Sequence, residues 1–166
     1  MTTANATRGI VETLARLAAL AGHGMVQRSV RQWAMQGLTE GGFPTKTSAC
    51  VEVLLAAVRK RCAWVPDPTT RETFMAPGEL LLGETATGDA DELAVLLAAL
   101  LGSVGIRTQI IGYGYGEGGG ITHVLVSYWD EAKSEWVDVD PSVPESAPTP
   151  AFTRRVASGI CSVRNP

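Results

Sequence analysis

Apolar residues recur at helical spacing in the first half of the chain and alternate with polar ones further on. Ile10, Val11, Leu14, Leu17, Ala18 and Ala21 fall every three or four positions. That spacing predicts a first helix over about 8–22, closed by Gly22 and Gly24. Val26, Val30, Trp33 and Ala34 predict a second helix to about Met35, and LTEGGFP after it is a loop by its Gly and Pro content. Val51, Leu54, Leu55, Val58 and Cys62 mark a third helix from Ser48 to Cys62. WVPDPTT then extends and turns, and FMAPGELLLGETATG is irregular with one helical turn. The stretch TGDADELAVLLAALLGSVGIR, residues 87–107, opens small and acidic and runs into an apolar helix over about 89–103. After Gly105 the period changes to two: IRTQIIGYG, ITHVLVSYW and EWVDVD each read as a strand. Helices followed by a short antiparallel sheet predict an α+β domain.

Composition narrows the function classes. The 166 residues suit one domain, and 45% hydrophobic against 19% charged residues supports a sizeable core. The net charge is −3 with no basic stripe, which argues against nucleic acid as a partner. The longest apolar run, LAVLLAALLG, falls short of the roughly 20 residues that cross a bilayer. The N-terminus lacks a cationic segment before its apolar part, so it reads as an amphipathic helix, not a secretion signal. Cys50, Cys62 and Cys161 are odd in number and widely spaced. They imply reduced thiols in a cytoplasmic setting, with neither a disulfide framework nor the spacing of a zinc site. No metal and no cofactor is expected.

The candidate chemistry starts at position 90. Asp89 is a natural N-cap and Glu92 follows three residues later, the pattern of a capping box. Residue 90 then stands in the first helical turn, where unpaired N–H groups and the positive end of the helix dipole favour a thiolate and an oxyanion. Position 90 holds alanine, which makes no use of that setting, and Asp89-Ala90-Asp91-Glu92 is by itself also an ordinary acidic helix start. His23 falls in a Gly-flanked loop and is expected in solvent. His123 lies in a strand, sharing a face with Leu125 and Ser127. Trp136, Asp138 and Asp140 share a face of the next strand. A hairpin through DEAKSE sets Val137 across from Tyr128 or near it, and His123 opposite positions 140 to 142, with Asp140 the nearer carboxylate. A carboxylate there fixes the histidine tautomer and leaves the other nitrogen as a base. His123 also fits a half-buried structural histidine, and Asp138 and Asp140 fit two solvated carboxylates.

Taken in order, GDADE at a helix start, THVLVSYW and WVDVDP make the sequence resemble the transglutaminase-like superfamily of papain-like cysteine enzymes. The family pattern is a G-D-C-D/E helix start, an H-V/A-x-V strand and a W-x-x-x-D-P strand. VEVLLAAVRKRCAWVPDP also looks like the helix and extended stretch before that core. The likeness is closest to the small versions in phage and prophage gene sets. It implies a nucleophile helix packed on a small antiparallel sheet over 46–144, an N-terminal helical extension over 1–45 and a Pro-rich C-terminal arm over 145–166. Carried over by position, Ala90 takes the nucleophile's place, His123 the base's and Asp140 the orienting acid's, with Asp138 a neighbour two residues off. The resemblance implies a cysteine peptidase or amidase, or an amide acyl-transferase, acting on protein or peptide. The cysteine itself is missing: either Ala90 is an engineered Cys-to-Ala change, which the otherwise complete set favours, or the chain is a naturally inactive binding or structural module. Its setting is then cytoplasmic or a phage-derived particle with partner proteins.

Around the site, Tyr113 and Tyr115 are candidates to line a substrate groove, and Trp64 and Trp136 either wall the cleft, as substrate-binding residues, or are core. GYGYGEGGG, residues 112–120, is a weak phosphate-cradle candidate, with no Lys and no helix after it. It reads instead as a mobile loop beside the cleft. The basic C-terminal FTRRVASGICSVRNP docks on the acidic core, binds a partner or is a loosely held tail.

Overall fold

A computed structural model describes residues 3–65, 75–82, 86–114, 120–143 and 154–161. Tyr115, most of the Gly-rich loop, the Pro-rich stretch 144–153 and the tail beyond Cys161 lie outside the described residues.

Helix α5 (Ala90–Ser103) organises the rest. Every residue from Leu93 to Leu101 is at most 2% exposed, as a helix apolar on all sides requires. It is surrounded by α1 (Thr3–Met25), α2 (Arg28–Glu40), α3 (Thr47–Arg61), the short α4 (Pro77–Leu80) and a four-stranded sheet. That sheet has the order β5-β4-β3-β6, all antiparallel, formed by β3 (Thr108–Gly114), β4 (His123–Asp130), β5 (Glu135–Val139) and β6 (Arg154–Cys161). A separate parallel ladder joins β1 (Cys62–Trp64) to β2 (Ala86–Gly88). Among the described residues no helix is long and apolar enough to cross a membrane.

The α+β reading and the antiparallel sheet hold. The β4–β5 register pairs Tyr128 with Val137 and Ser127 with Asp138. Several boundaries differ, for physical reasons. Helix α1 runs through Gly22 and Gly24 to Met25. Gly24 is there for close packing: a Cβ on it would sit 2.7 Å from Pro77 and 2.8 Å from Ala99. His23 accordingly stands in the last turn of α1, exposed, and not in a loop. Helix α2 continues past Met35 to Glu40 because Leu38 is buried and Gly37 packs against Leu54. Its chain reversal comes at Gly42 and Phe43, both with positive φ. Cys62 leaves α3 to begin β1. Residues 154–161, within the stretch expected as an arm, form β6 along the edge of β3.

One sheet face, carrying Ile110, Val124, Val126 and Tyr128, joins the common core with α5. Thr108 on that face donates to the Ala98 carbonyl of α5 at 3.5 Å. Helix α1 crosses the β3–β6 side so closely that only glycine fits beneath it. A Cβ on Gly159 would stand 2.7 Å from the carbonyl oxygen of Leu14, and one on Gly112 would come 3.3 Å from the Leu14 side chain as well as 2.8 Å from Ile121, which lies outside α1. Gly159→Ala is therefore expected to destabilise the fold by about 1–3 kcal/mol, since backbone must move. Gly120→Ala, where a Cβ meets nothing within 4 Å, should change stability by less than about 0.5 kcal/mol. Urea midpoints of the two variants check this; equal midpoints would contradict the packing account.

Candidate active site

The amino end of α5 is built by its own sequence. Asp89 Oδ1 accepts from the N–H of Asp91 at 2.9 Å and of Glu92 at 3.3 Å, and Glu92 Oε2 accepts from the Asp89 N–H at 3.1 Å. Leu93 N–H bonds the Asp89 carbonyl. Gly88 is needed for this, because a Cβ there would come within 2.8 Å of the returning Glu92 carboxylate. Glu92 Oε1 also accepts from the Met75 N–H at 3.2 Å, so the buried carboxylate ties a neighbouring segment to the helix start. Asp89 thus takes up the N–H groups of Asp91 and Glu92. The Ala90 N–H, at the first helical position, is the donor of that turn which the cap leaves over.

Ala90 opens onto a cleft of about 760 Å³ whose walls include Trp64, Asp89, His123 and Ser142. Trp64 reaches it through the parallel ladder that pairs it with Gly88, and it is 55% exposed. The opposite wall is Gly9, Ile10 and Thr13 of α1. His123 shares strand parity with Leu125 and Ser127, the face away from α5, so the face does not bring it to Ala90. The cleft lies off the end of the sheet, where the consecutive residues Ile121 to Val124 all line it, and there His123 and Ala90 share one space.

His123 Nε2 lies 2.5 Å from Asp140 Oδ2, with both side chains mostly buried. Asp140 is the first residue after β5, and its position is fixed from three sides. Its Oδ1 accepts from the Ser142 N–H at 2.9 Å and the Ser142 hydroxyl at 2.7 Å, and its carbonyl accepts from Arg59 Nη2 at 2.8 Å. Burial alone would push the Asp140 carboxyl up, but the hydrogen bonds from His123 and Ser142, with the His123 charge, outweigh it and hold it below its ordinary 3.8. Asp138 is used elsewhere: Tyr113 Oη donates to its Oδ2 at 2.5 Å and Arg155 Nη2 to its Oδ1 at 3.2 Å. Tyr113, the cross-strand partner of His123, thus ties Asp138 to the sheet. Burial first, and then the bond to Asp138, raises its hydroxyl above the usual tyrosine range. Trp136 packs edge-on against Trp129, with ring centroids 5.6 Å apart, and is not a cleft wall.

Arg59, Ser142 and the α1 residues are the parts that sequence reasoning missed. Ser142 had a readable signal, since Asp-Pro-Ser is a turn in which the aspartate oxygen takes the N–H two residues on. Arg59 and Gly9 had none, as their roles depend on tertiary packing. Burial raises the Cys50 thiol and pushes Cys62 and Cys161 up to about 11, so none of the three is poised as a thiolate. Among the described residues no three His, Cys, Asp or Glu side chains cluster as metal ligands.

The lowered Asp140 carboxyl has a stability consequence. Its folded-state value lies below its unfolded one, so its contribution is complete above the ordinary 3.8 and is lost as pH falls through the lower folded value. Asp140→Asn is expected to flatten that acid limb and to cost about 1–3 kcal/mol near neutrality. Urea unfolding between pH 2 and 7 checks it; an acid limb unchanged by the substitution would show that Asp140 is not held as described.

A profile of the transglutaminase-like superfamily matches residues 36–141, which include Ala90, His123 and Asp140. No curated protein sequence matches the chain. Two crystal structures share the fold. One is a candidate protease from Parabacteroides distasonis, with TM-score 0.55 and 16% identity, covering 75% of this chain and 26% of that one. The other is a candidate cysteine protease from Cytophaga hutchinsonii, with TM-score 0.56 and 13% identity, covering 82% of this chain and 45% of that one. The chain therefore spans less than half the length of either neighbour. With its family match running from the end of α2 to Pro141, this chain belongs to the transglutaminase-like superfamily.

Proposed function

We propose that the chain is a cysteine peptidase or amidase scaffold that acts on peptide when position 90 is cysteine, and that with Ala90 it holds peptide without cleaving it. The observation that carries this is that His123, bonded to Asp140 behind it, lines the same cleft as the first residue of α5. In this reading Asp140 accepts from Nε2–H of His123 and fixes the tautomer in which Nδ1 takes the proton. A thiol at residue 90 gives its proton to Nδ1 and attacks the amide carbonyl carbon. The carbonyl oxygen becomes an oxyanion within reach of the residue 90 N–H. Collapse breaks the C–N bond, Nδ1–H protonates the leaving amine and a thioester remains. Water then loses a proton to Nδ1 and attacks the thioester, and the acid leaves as the thiol is restored. A primary amine in place of water gives acyl transfer, with the same residues in the same roles. Trp64, at the cleft wall, supplies an apolar surface for the peptide.

Alanine removes the bond-forming atom and leaves the remaining groups in place. A second reading follows from that residue alone: the chain as it stands is a peptide-binding module, with His123 and Asp140 as relics.

Restoring the thiol separates the two. Ala90→Cys should be alkylated by iodoacetamide at pH 5–6 at least about tenfold faster than Cys50, Cys62 or Cys161, because the helix end and His123 both favour the thiolate. Adding His123→Ala should remove most of that advantage, and Asp140→Ala a smaller part. Mass spectrometry of the labelled peptides measures each site. A new thiol that reacts no faster than the buried three, in a variant that hydrolyses no casein, would leave the binding module as the account.

A further inference from the structure

A second hollow adjoins the cleft at Trp64. Beyond the indole lies a recess of about 410 Å³ that shares Trp64 and Ser142 with the cleft and adds Arg59, Lys60, Leu93 and Pro141. Among the described residues its walls carry two cations, Arg59 and Lys60, and no carboxylate side chain. Lys60 is exposed and has no ion-pair partner among the described residues. Arg59 spends Nη2 on the Asp140 carbonyl, while its Nε is buried without an acceptor. The Asp140 carboxylate is turned to His123 and Ser142 and is not part of the recess wall. Basic residues in the last turn of α3 also offset the negative end of that helix. Arg61 fits that role alone, stacked 5.2 Å over Trp33, but Arg59 and Lys60 border the recess beside the cleft. Trp64 and Leu93 form apolar walls, which lower the local dielectric and strengthen attraction for an anion.

We propose that this recess is a carboxylate subsite, so that the peptide held in the cleft carries an acidic side chain or its own C-terminal carboxylate beyond Trp64. The assignment rests on the reading of the cleft as a peptide site. Lys60 supplies a mobile ammonium at the mouth, and Arg59 supplies a guanidinium fixed by its bond to Asp140. Substrate choice is then charge-dependent, with Lys60 as the specificity residue.

The test uses the Ala90 chain and dye-labelled tetrapeptide amides of alanine with Glu, Gln or Lys placed at each position in turn, plus the all-alanine peptide with a free C-terminal carboxylate. Fluorescence polarisation reads binding. One Glu position, or the free carboxylate, is expected to bind about three- to tenfold more tightly than its neutral twin. Which of the two does so identifies the source of the carboxylate. Lys60→Ala should remove the preference, and Lys60→Glu should turn it toward the Lys peptide. Lys60 is exposed and makes no hydrogen bond among the described residues, so both variants should keep the parent melting temperature. Carboxylate probes held no better than their neutral twins, or a preference indifferent to Lys60, overturns the subsite. Alkylation of the Ala90→Cys thiol is read independently. A fast thiol with no charge preference sinks the subsite alone, and a charge preference with a slow thiol sinks the enzyme reading alone.

Discussion

A helix with no polar side has to be enclosed, and the molecule is arranged around that constraint on α5. Leu93 through Leu101 leave no face for water, so α1, α2 and α3 pack around it and the sheet closes the remaining side. Enclosure has one unavoidable opening. The first-turn N–H groups of such a helix need acceptors, and its amino end must stop where the polar cap can be accommodated. Asp89, Glu92 and Gly88 satisfy that end and leave the Ala90 N–H at the cleft. The packing that encloses α5 therefore also sets the position of residue 90, with the positive end of the dipole behind it.

The second half of the site is held by different means. His123 stands at the start of β4 and Asp140 just past the end of β5, so neither is deep within a hydrogen-bonded ladder. The pair depends on side-chain support. Ser142 holds one Asp140 oxygen, His123 the other, and Arg59 holds the backbone carbonyl from α3. Arg59 thereby serves both hollows: it holds Asp140, the residue bonded to His123, and it borders the recess past Trp64. The Tyr113–Asp138–Arg155 cluster performs a parallel task one step away, tying β3, β5 and β6 together without entering the cleft.

Much of this was legible in the sequence where a local rule decides. The capping residues at 89 and 92 and the hairpin register that sets Asp140 near His123 follow from spacing alone. Interpretation failed where tertiary contact overrides local preference. Gly22 and Gly24 suggest a helix stop, yet Pro77 and Ala99 crowd Gly24 and the helix continues. Strand β6 was hidden in a basic stretch after a Pro-rich one. The three-residue ladder of β1 and β2 is too short for alternation to show. Sheet parity pointed His123 away from α5, and only the three-dimensional end of the sheet brings it to Ala90.

The central claim is that Asp140 holds His123 in the tautomer whose Nδ1 serves residue 90. Nitrogen-15 NMR of the imidazole, with His23 assigned by substitution, tests it on the unaltered chain. The account predicts, for the neutral ring, a proton on Nε2, shared with Asp140 and shifted strongly downfield, and an unprotonated Nδ1. A neutral ring protonated on Nδ1, or an Nε2 proton unaffected by Asp140→Asn, would contradict it.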